Sequence, residues 1–229
     1  LRARFPLAER VLTRPPAATP SPPLLAREDG SGRIAVMIRR FLPALFSLSF
    51  VLPLMADDSW PEFRGPTGDG HAPGAKVPTL WSATSKVRWK VPVAGKAWSS
   101  PVISDGKVYV TSAVSEGGQL SLRAMCFELA DGKPVWDREI FKKAEGAIHQ
   151  KNSHASPTPV YAEGKLFVHF GHEGTAALNA GDGAILWTQT SLSYVPVHGN
   201  GGSPILHGGK LIFSSDGQAD PFIVALNAT

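Results

Sequence analysis

From residue 100 onward, short apolar runs alternate with polar turns, and the same pattern returns along the chain. Three eight-residue segments align without a gap, and they begin at Ser100, Thr158 and Ser203. Each opens with a Ser-Pro or Thr-Pro pair, continues with apolar residues and closes on Gly-Lys before another apolar run. A glycine between two β-rich runs supplies the positive φ that a tight hairpin turn needs. Each segment therefore predicts a β-hairpin, with the proline at the start of its first strand.

A second motif follows each hairpin and predicts another turn. It places Asp-Gly a few residues before a tryptophan, as in Asp131-Gly132 before Trp136 and Asp182-Gly183 before Trp187. A shorter copy ends at Trp89, so the three tryptophans are 47 and 51 residues apart. We interpret these indoles as packing between sheets, because a repeated large apolar side chain fills the space between stacked layers.

Together the two motifs describe a unit of four short antiparallel strands, predicted in the first full copy at 101–104, 107–113, 120–129 and 134–139. A four-stranded repeat of this length is typical of a β-propeller blade. We place blades near 57–95, 96–140, 154–190 and 200–229. The residues assigned to the structural repeat are Trp89, Pro101, Gly106, Asp131, Gly132, Trp136, Pro159, Gly164, Asp182, Gly183, Trp187, Pro204 and Gly209.

The expected fold is thus all-β, a propeller of which about three to four blades are present. Propellers close with about four to eight blades. We therefore expect an incomplete wheel, the N-terminal fragment of a longer, seven- or eight-bladed protein.

The first 56 residues lack the repeat motifs and divide into two segments. Residues 1–36 are rich in Arg, Pro and Ala, and we interpret them as disordered or as an upstream extension that precedes the true start at Met37. Residues 37–56 combine a short basic segment, a 14-residue apolar run from Phe41 to Leu54 and a terminal Ala56. This arrangement predicts a secretory signal peptide, with an uncleaved N-terminal anchor as the alternative. The protein is then exported to the periplasm or beyond, with no membrane span after signal removal.

Charge and cysteine content narrow the function classes. The 229 residues carry a formal net charge of +4, but residues 1–56 contribute +5 and residues 57–229 contribute −1. The predicted propeller therefore lacks the basic surface of a nucleic-acid-binding protein. A single cysteine, Cys126, excludes a disulfide scaffold. It lies in an alternating apolar run, so we expect it to be buried. The glycines at 199–202 precede a strand and lack the Lys-Ser/Thr of a phosphate-binding loop.

Polar residues with possible chemistry concentrate in the predicted connections between blades. These connections reach a face of a propeller, where ligands commonly bind. The alternative is that the side chains only bond to backbone in long loops. No nucleophile elbow or paired-carboxylate site is recognisable, and the spacing indicates no metal site, so no catalytic or metal-ligating residue is assigned. The candidate ligand-binding residues are His149, Asn152, His154, His169, His198 and Asn200.

The Ser-Pro…Gly-Lys and Asp-Gly…Trp motifs resemble the pyrroloquinoline-quinone-like propeller repeat. The segment Trp60-Pro61-Glu62-Phe63-Arg64-Gly65-Pro66 is similar to the N-terminal segment of secreted bacterial members of that superfamily. The superfamily includes quinoprotein dehydrogenases and the outer-membrane assembly propeller lipoprotein. Among quinoprotein alcohol dehydrogenases the cofactor typically lies under a disulfide between adjacent cysteines, and this chain has only Cys126.

The resemblance leaves two functions open. The first is an exported, non-catalytic propeller that serves as a scaffold or binding module for a protein or polysaccharide on one of its faces, with no evident cofactor. The second is a quinoprotein oxidoreductase of the alcohol or sugar dehydrogenase type, whose site lies mostly in further blades. Pyrroloquinoline quinone with Ca²⁺ belongs only to the second function.

Overall fold

The computed structural model describes residues 59–218 and 221–229. The extension at 1–36 and the signal peptide at 37–56 lie outside these residues. The described residues form eleven strands in three antiparallel sheets, with a 3₁₀ turn at Gly171–Glu173 between two strands of the second sheet. Within the described ranges, no helix has the length and apolar character needed to cross a membrane.

Each sheet follows chain order, as expected for blades built from consecutive hairpins. Sheet 1 comprises β1 (Val102–Ser104), β2 (Lys107–Glu116), β3 (Gln119–Glu128) and β4 (Pro134–Ala144). Sheet 2 comprises β5 (Val160–Ala162), β6 (Lys165–His169), β7 (Thr175–Asn179) and β8 (Ile185–Gln189). Sheet 3 has three strands, β9 (Ile205–His207), β10 (Lys210–Ser215) and β11 (Phe222–Asn227).

The predicted all-β architecture is confirmed, with differences at strand ends. In sheet 1, β2 and β4 are longer than predicted, because the hairpin closes only at Gly117-Gly118 and β4 continues beside β3 to Ala144. The first tight turn forms as predicted, with φ of 50° at Asp105 and 70° at Gly106. Pro101, Pro159 and Pro204 each stand one residue before the first strand of a sheet.

The segment expected to hold a first blade, 57–95, differs from the prediction. Its described residues form only isolated bridges, such as Trp60 with Ile103 and Ser82 with Ser85. Up to residue 86 its apolar residues are few and widely spaced, and Val77, Leu80 and Trp81 are exposed. A four-stranded sheet would need several alternating runs, whereas this stretch contains only one, at 87–93, and Pro92 interrupts it.

The sheets stack face to face and bury two apolar layers. One layer lies between sheets 1 and 2 and includes Leu122, Cys126 and Leu178. The other lies between sheets 2 and 3 and includes Phe167 and Leu211. Sheet 2 is covered on both faces, which explains why the centre of β6, residues 166–168, is an uninterrupted apolar run, typical of a doubly buried strand. The first strands of the three sheets contact each other in order, β1 with β5 and β5 with β9, so they form the hub of a partial propeller.

Two of the three repeated tryptophans dock onto the Asp-Gly turn of the next repeat. The Trp136 indole N–H donates to Ala180 O at 2.9 Å, and its ring lies on Gly183, where a Cβ would come within 2.8 Å of ring carbons. Trp89 repeats the arrangement: its indole N–H donates to Leu129 O at 2.9 Å, and its ring lies on Gly132. Trp136 is buried, while Trp89 and Trp187 are half-buried. The Trp187 N–H has no acceptor among the described residues.

The inner strands are also joined by the repeated Ser/Thr-Pro pairs. The Ser100 N–H donates to Thr158 Oγ1 at 3.1 Å. The Thr158 N–H donates in turn to Ser203 Oγ at 2.9 Å. The Thr158 and Ser203 hydroxyls therefore each satisfy a backbone N–H of the preceding repeat.

Candidate functional site

Because consecutive strands run in opposite directions, the turns and connections lie at two opposite ends of the sheets. The first turn of each sheet, such as Asp105-Gly106, and the third turn of sheets 1 and 2, such as Asp131-Gly132, lie at one end of the strands, and we call this end the turn face. The second turn of each sheet and the connections between sheets lie at the opposite end, the loop face. The connections are residues 90–101, 145–159 and 190–204. All six candidate residues belong to the loop face: five lie in connections, and His169 ends β6.

The structure brings three of the candidates together at the surface. The imidazole rings of His149 and His198 lie edge to face, with centroids 5.1 Å apart. Asn152 bonds to the backbone of both, because its N–H donates to His149 O at 2.8 Å and its Nδ2 donates to His198 O at 3.0 Å. The Lys151 N–H donates to His149 Nδ1 at 3.1 Å. Two connections from different sheets are thereby held side by side.

Gly199 makes this close approach possible. A Cβ at residue 199 would meet Ile148 and Asn152 side-chain atoms at 2.8–2.9 Å, and its φ of 95° disfavours other residues. The first glycine of the 199–202 run thus serves loop packing.

Asn200 belongs to a second cluster, which includes residues that the sequence reasoning missed. Its Nδ2 donates to Phe170 O at 3.1 Å and lies 3.2 Å from His172 Nδ1, and its Oδ1 accepts from Tyr194 Oη at 2.5 Å. His172 Nε2 lies 3.1 Å from an oxygen of the buried Glu173 carboxyl group. The signal for this cluster was available in Gly171, because only glycine leaves room for the Asn200 side chain there.

A polar cavity of about 50 Å³ adjoins the second cluster, between sheets 2 and 3. His169 lines it from β6, bonds through Nδ1 to Thr175 Oγ1 at 2.8 Å and stacks on Phe213 at 4.1 Å between ring centroids. Burial lowers the pKa of His169 to about 4, so the ring is neutral at pH 7. The other lining residues are Tyr194, Gly199, Asn200, Gly201, Gly202, Ser214 and Asp216.

Two lining residues set the electrostatics of the cavity. Burial, reinforced by the nearby Asp216 carboxylate, raises the pKa of Tyr194 to about 12. Tyr194 therefore remains a neutral hydroxyl, and Asp216 is the one charged side chain among the lining residues. The cavity favours neutral groups that donate hydrogen bonds over anions.

The His154 ring makes no hydrogen bond to either cluster. It is 6% exposed, and neither ring nitrogen has a hydrogen-bond partner among the described residues. Its pKa is lowered, chiefly because burial disfavours the imidazolium, although the Glu173 carboxylate opposes this effect. It is therefore a buried neutral ring rather than part of the surface cluster.

Cys126 is buried in the layer between sheets 1 and 2, as predicted. Burial raises the pKa of its thiol to about 11, so the reactive thiolate is scarce at neutral pH.

An open groove of about 450 Å³ lies on the other face of sheet 1. Several of its polar side chains pair with one another: Arg123 Nε is 2.9 Å from Asp137 Oδ1, and Ser121 Oγ donates to Glu139 Oε2 at 2.5 Å. Because these groups satisfy each other, the groove is a solvated sheet face.

Pyrroloquinoline quinone does not fit the loop-face cavity. It is a tricyclic tricarboxylate, whereas the cavity holds about 50 Å³ and is lined by no Lys or Arg. In the part of the chain that the structure describes, no three His, Cys, Asp or Glu side chains converge to hold a metal ion.

Comparison with known proteins finds one matching family model and several similar solved structures. Residues 79–229 match the family model described as outer membrane protein assembly factor BamB. No curated protein matches the chain significantly. Similar solved structures include a quinohemoprotein alcohol dehydrogenase from Comamonas testosteroni, at 16% identity and a TM-score of 0.48 over 74% of this chain and 25% of that one.

Two further structures are similar over less of this chain. BamB from Moraxella catarrhalis is 17% identical, with a TM-score of 0.39 over 63% of this chain and 41% of that one. A quinohemoprotein alcohol dehydrogenase from Pseudomonas putida is 18% identical, with a TM-score of 0.46 over 62% of this chain and 20% of that one. The chain thus spans between a fifth and about two fifths of the length of these structures.

Proposed function

The chain belongs to the pyrroloquinoline-quinone-like repeat family described as outer membrane protein assembly factor BamB, and from this membership we propose that it is an exported, non-catalytic β-propeller that binds a protein partner through its loop face. The family description, an assembly factor, supports a protein partner. The predicted signal peptide at 37–56 supports export to the periplasm or the cell exterior.

The observation that carries the proposal is the composition of the loop face. The connection at residues 191–204 contains no Asp, Glu, Lys or Arg. It exposes Val195 and Val197, which are 67% and 54% accessible, beside the His149–His198 pair. Trp98, in the connection before β1, is 49% accessible. Exposed aromatic and apolar side chains with few charges are the composition of a protein-binding patch.

Hydrogen bonds hold this patch in shape before any partner arrives. Asn152 joins the connection at 145–159 to the connection at 190–204. Ser153 Oγ, also in the connection at 145–159, donates to Lys96 O at 3.2 Å. A preorganised surface loses less conformational entropy on binding. In this proposal the candidate residues contribute to recognition: His149 and His198 at the surface, and His169 and Asn200 beside the cavity. Asn152 and His154 support the loops.

Site-specific photo-cross-linking in native cells tests the proposal. A benzophenone amino acid replaces Trp98 or Val197 on the loop face, and His207 on the turn face serves as the matched control, since it is also exposed. We expect protease-sensitive adducts from positions 98 and 197 and none from 207. Adducts from 207 alone would contradict the proposal, and adducts cleaved by glycosidases rather than proteases would identify a polysaccharide partner instead.

A second assay addresses the oxidoreductase alternative. The purified full-length protein is mixed with pyrroloquinoline quinone and Ca²⁺, and the oxidation of alcohols and sugars is followed with an artificial electron acceptor. We expect no turnover above that of the free quinone. Turnover that depends on the protein would overturn the non-catalytic assignment.

A further inference from the structure

The segment around Trp60 is the one sequence motif that neither the blades nor the loop face explains. Its backbone pairs with β1: the Trp60 N–H donates to Ile103 O at 2.7 Å, and the Ile103 N–H donates to Trp60 O at 3.0 Å. The next residue reaches the neighbouring sheet, because Pro61 O accepts from the Tyr161 N–H at 2.8 Å. Two successive residues of the motif thus bond to two different sheets.

Ile103 and Tyr161 occupy equivalent positions in their blades. Each is the middle residue of a three-residue inner strand and stands two residues after the repeat proline. Their strands pair with β2 and β6 on one edge, so the bonds to Trp60 and Pro61 use the opposite edge. In a propeller the free edge of the inner strand faces the central channel. The motif therefore lies at the hub, at the mid-height of the inner strands.

We propose that residues 59–65 are a built-in plug of the central channel, bound by strand addition to the hub edges of the first two blades. Unpaired inner-strand edges are templates for added strands, and a segment of the same chain occupies them here. Pro61 suits its place, because only its carbonyl is used and proline has no N–H to leave unpaired.

Contacts of Trp60 and Glu62 with Gly65, which we call the lock, hold the plug in its conformation. The Trp60 ring lies on Gly65, where a Cβ would come within 2.7 Å of ring carbons, and Gly65 has a φ of 76°. The Gly65 N–H donates to Glu62 O at 3.0 Å, which closes the turn. Phe63 is outside this lock: its ring is 48% exposed, with the Arg64 guanidinium 5.6 Å from its centroid. These contacts predict that residues 60 and 65 hold the plug and that residue 63 does not.

Amide hydrogen exchange at single-residue resolution on the full chain tests the plug. In the unmodified protein we expect the Ile103 and Tyr161 amides to be protected, since both donate to the plug. Trp60→Ala and Gly65→Ala should each speed the exchange of these two amides by about tenfold or more, because local opening exposes them. Phe63→Ala is the matched control and should leave both rates unchanged.

The amides of Leu122 and Cys126, in the centre of β3, distinguish a local plug from general destabilisation. We expect their exchange to stay slow in all three variants. Unprotected Ile103 and Tyr161 amides in the unmodified protein would overturn the proposal. Unchanged rates in both lock variants, or equal acceleration at Leu122 and Cys126, would overturn it too.

Discussion

At the scale of single residues, a tryptophan of one repeat meets a glycine of the next at two places. The Trp136 ring occupies the space that a side chain at residue 183 would need, and Trp89 does the same at Gly132. The glycine of the Asp-Gly turn therefore has two roles, a positive φ and an open surface for the ring. The first role was predictable from the sequence. The second was not, because it depends on a residue in the neighbouring sheet.

Two glycine variants separate these roles. Residue 106 has a positive φ, but an added Cβ would meet no neighbouring atom there. We therefore expect Gly106→Ala to lower the free energy of unfolding by about 1–2 kcal/mol. Gly183→Ala also collides with the Trp136 ring, so we expect about 2–4 kcal/mol. Urea denaturation of both variants measures the difference. Equal losses would show that the ring does not dock on Gly183.

Burial of His169 makes stability depend on pH. The folded protein binds the proton only near pH 4, whereas the unfolded chain binds it near the ordinary histidine pKa of about 6.5. Between these values the unfolded state holds the extra proton. The free energy of unfolding therefore falls as pH falls, by about 1.4 kcal/mol per pH unit from this residue. His154, whose pKa is also lowered, contributes in the same direction.

His169→Gln tests this contribution. Glutamine does not titrate and keeps a hydrogen-bonding group near Thr175, so the fall in stability between pH 6.5 and pH 4 should become shallower. Thermal unfolding across this pH range measures the slope, and His207→Gln, at an exposed position, is the control. An unchanged slope in His169→Gln would mean that His169 is not buried as a neutral ring.

At the scale of the elements, hydroxyl groups of the Ser/Thr-Pro pairs join the inner strands of neighbouring blades. The sequence pattern alone did not predict this role. The proline of each Ser/Thr-Pro pair was recognised as the start of a strand. The hydroxyl before it accepts a backbone N–H from the preceding blade, as Thr158 does from Ser100. Hairpins and turns are local and were predictable, whereas a bond between residues 58 positions apart was not.

Two buried threonines test this bond. Thr158→Val keeps the shape of the side chain but leaves the Ser100 N–H without its acceptor, so we expect a loss of about 1–3 kcal/mol in the free energy of unfolding. Thr111→Val is the control, because its buried hydroxyl has no partner among the described residues and its removal should be neutral or stabilising. Chemical denaturation measures both. A smaller loss in Thr158→Val than in Thr111→Val would contradict the role of the hydroxyl.

At the scale of the whole molecule, the sequence predicted the sheets better than the site. The repeat placed the strands within a few residues, because each blade is built from neighbouring segments. The candidate residues were predicted in or near the connections that reach a face of the propeller, but they divide into a surface group around Asn152, a cavity group around Asn200 and His154, which bonds to neither. Glu173 and Tyr194 were missed, because their proximity depends on how sheets 2 and 3 stack.

The blades dock in chain order, so that the connections gather on the loop face, opposite the turns. Thiol cross-linking measures this arrangement directly. The His149→Cys/His198→Cys variant, treated with a short bifunctional maleimide, should cross-link within the chain, since the two rings lie 5.1 Å apart. The His149→Cys/His207→Cys variant, with one thiol on each face, should not. Cross-linking of the second pair without the first would contradict the account.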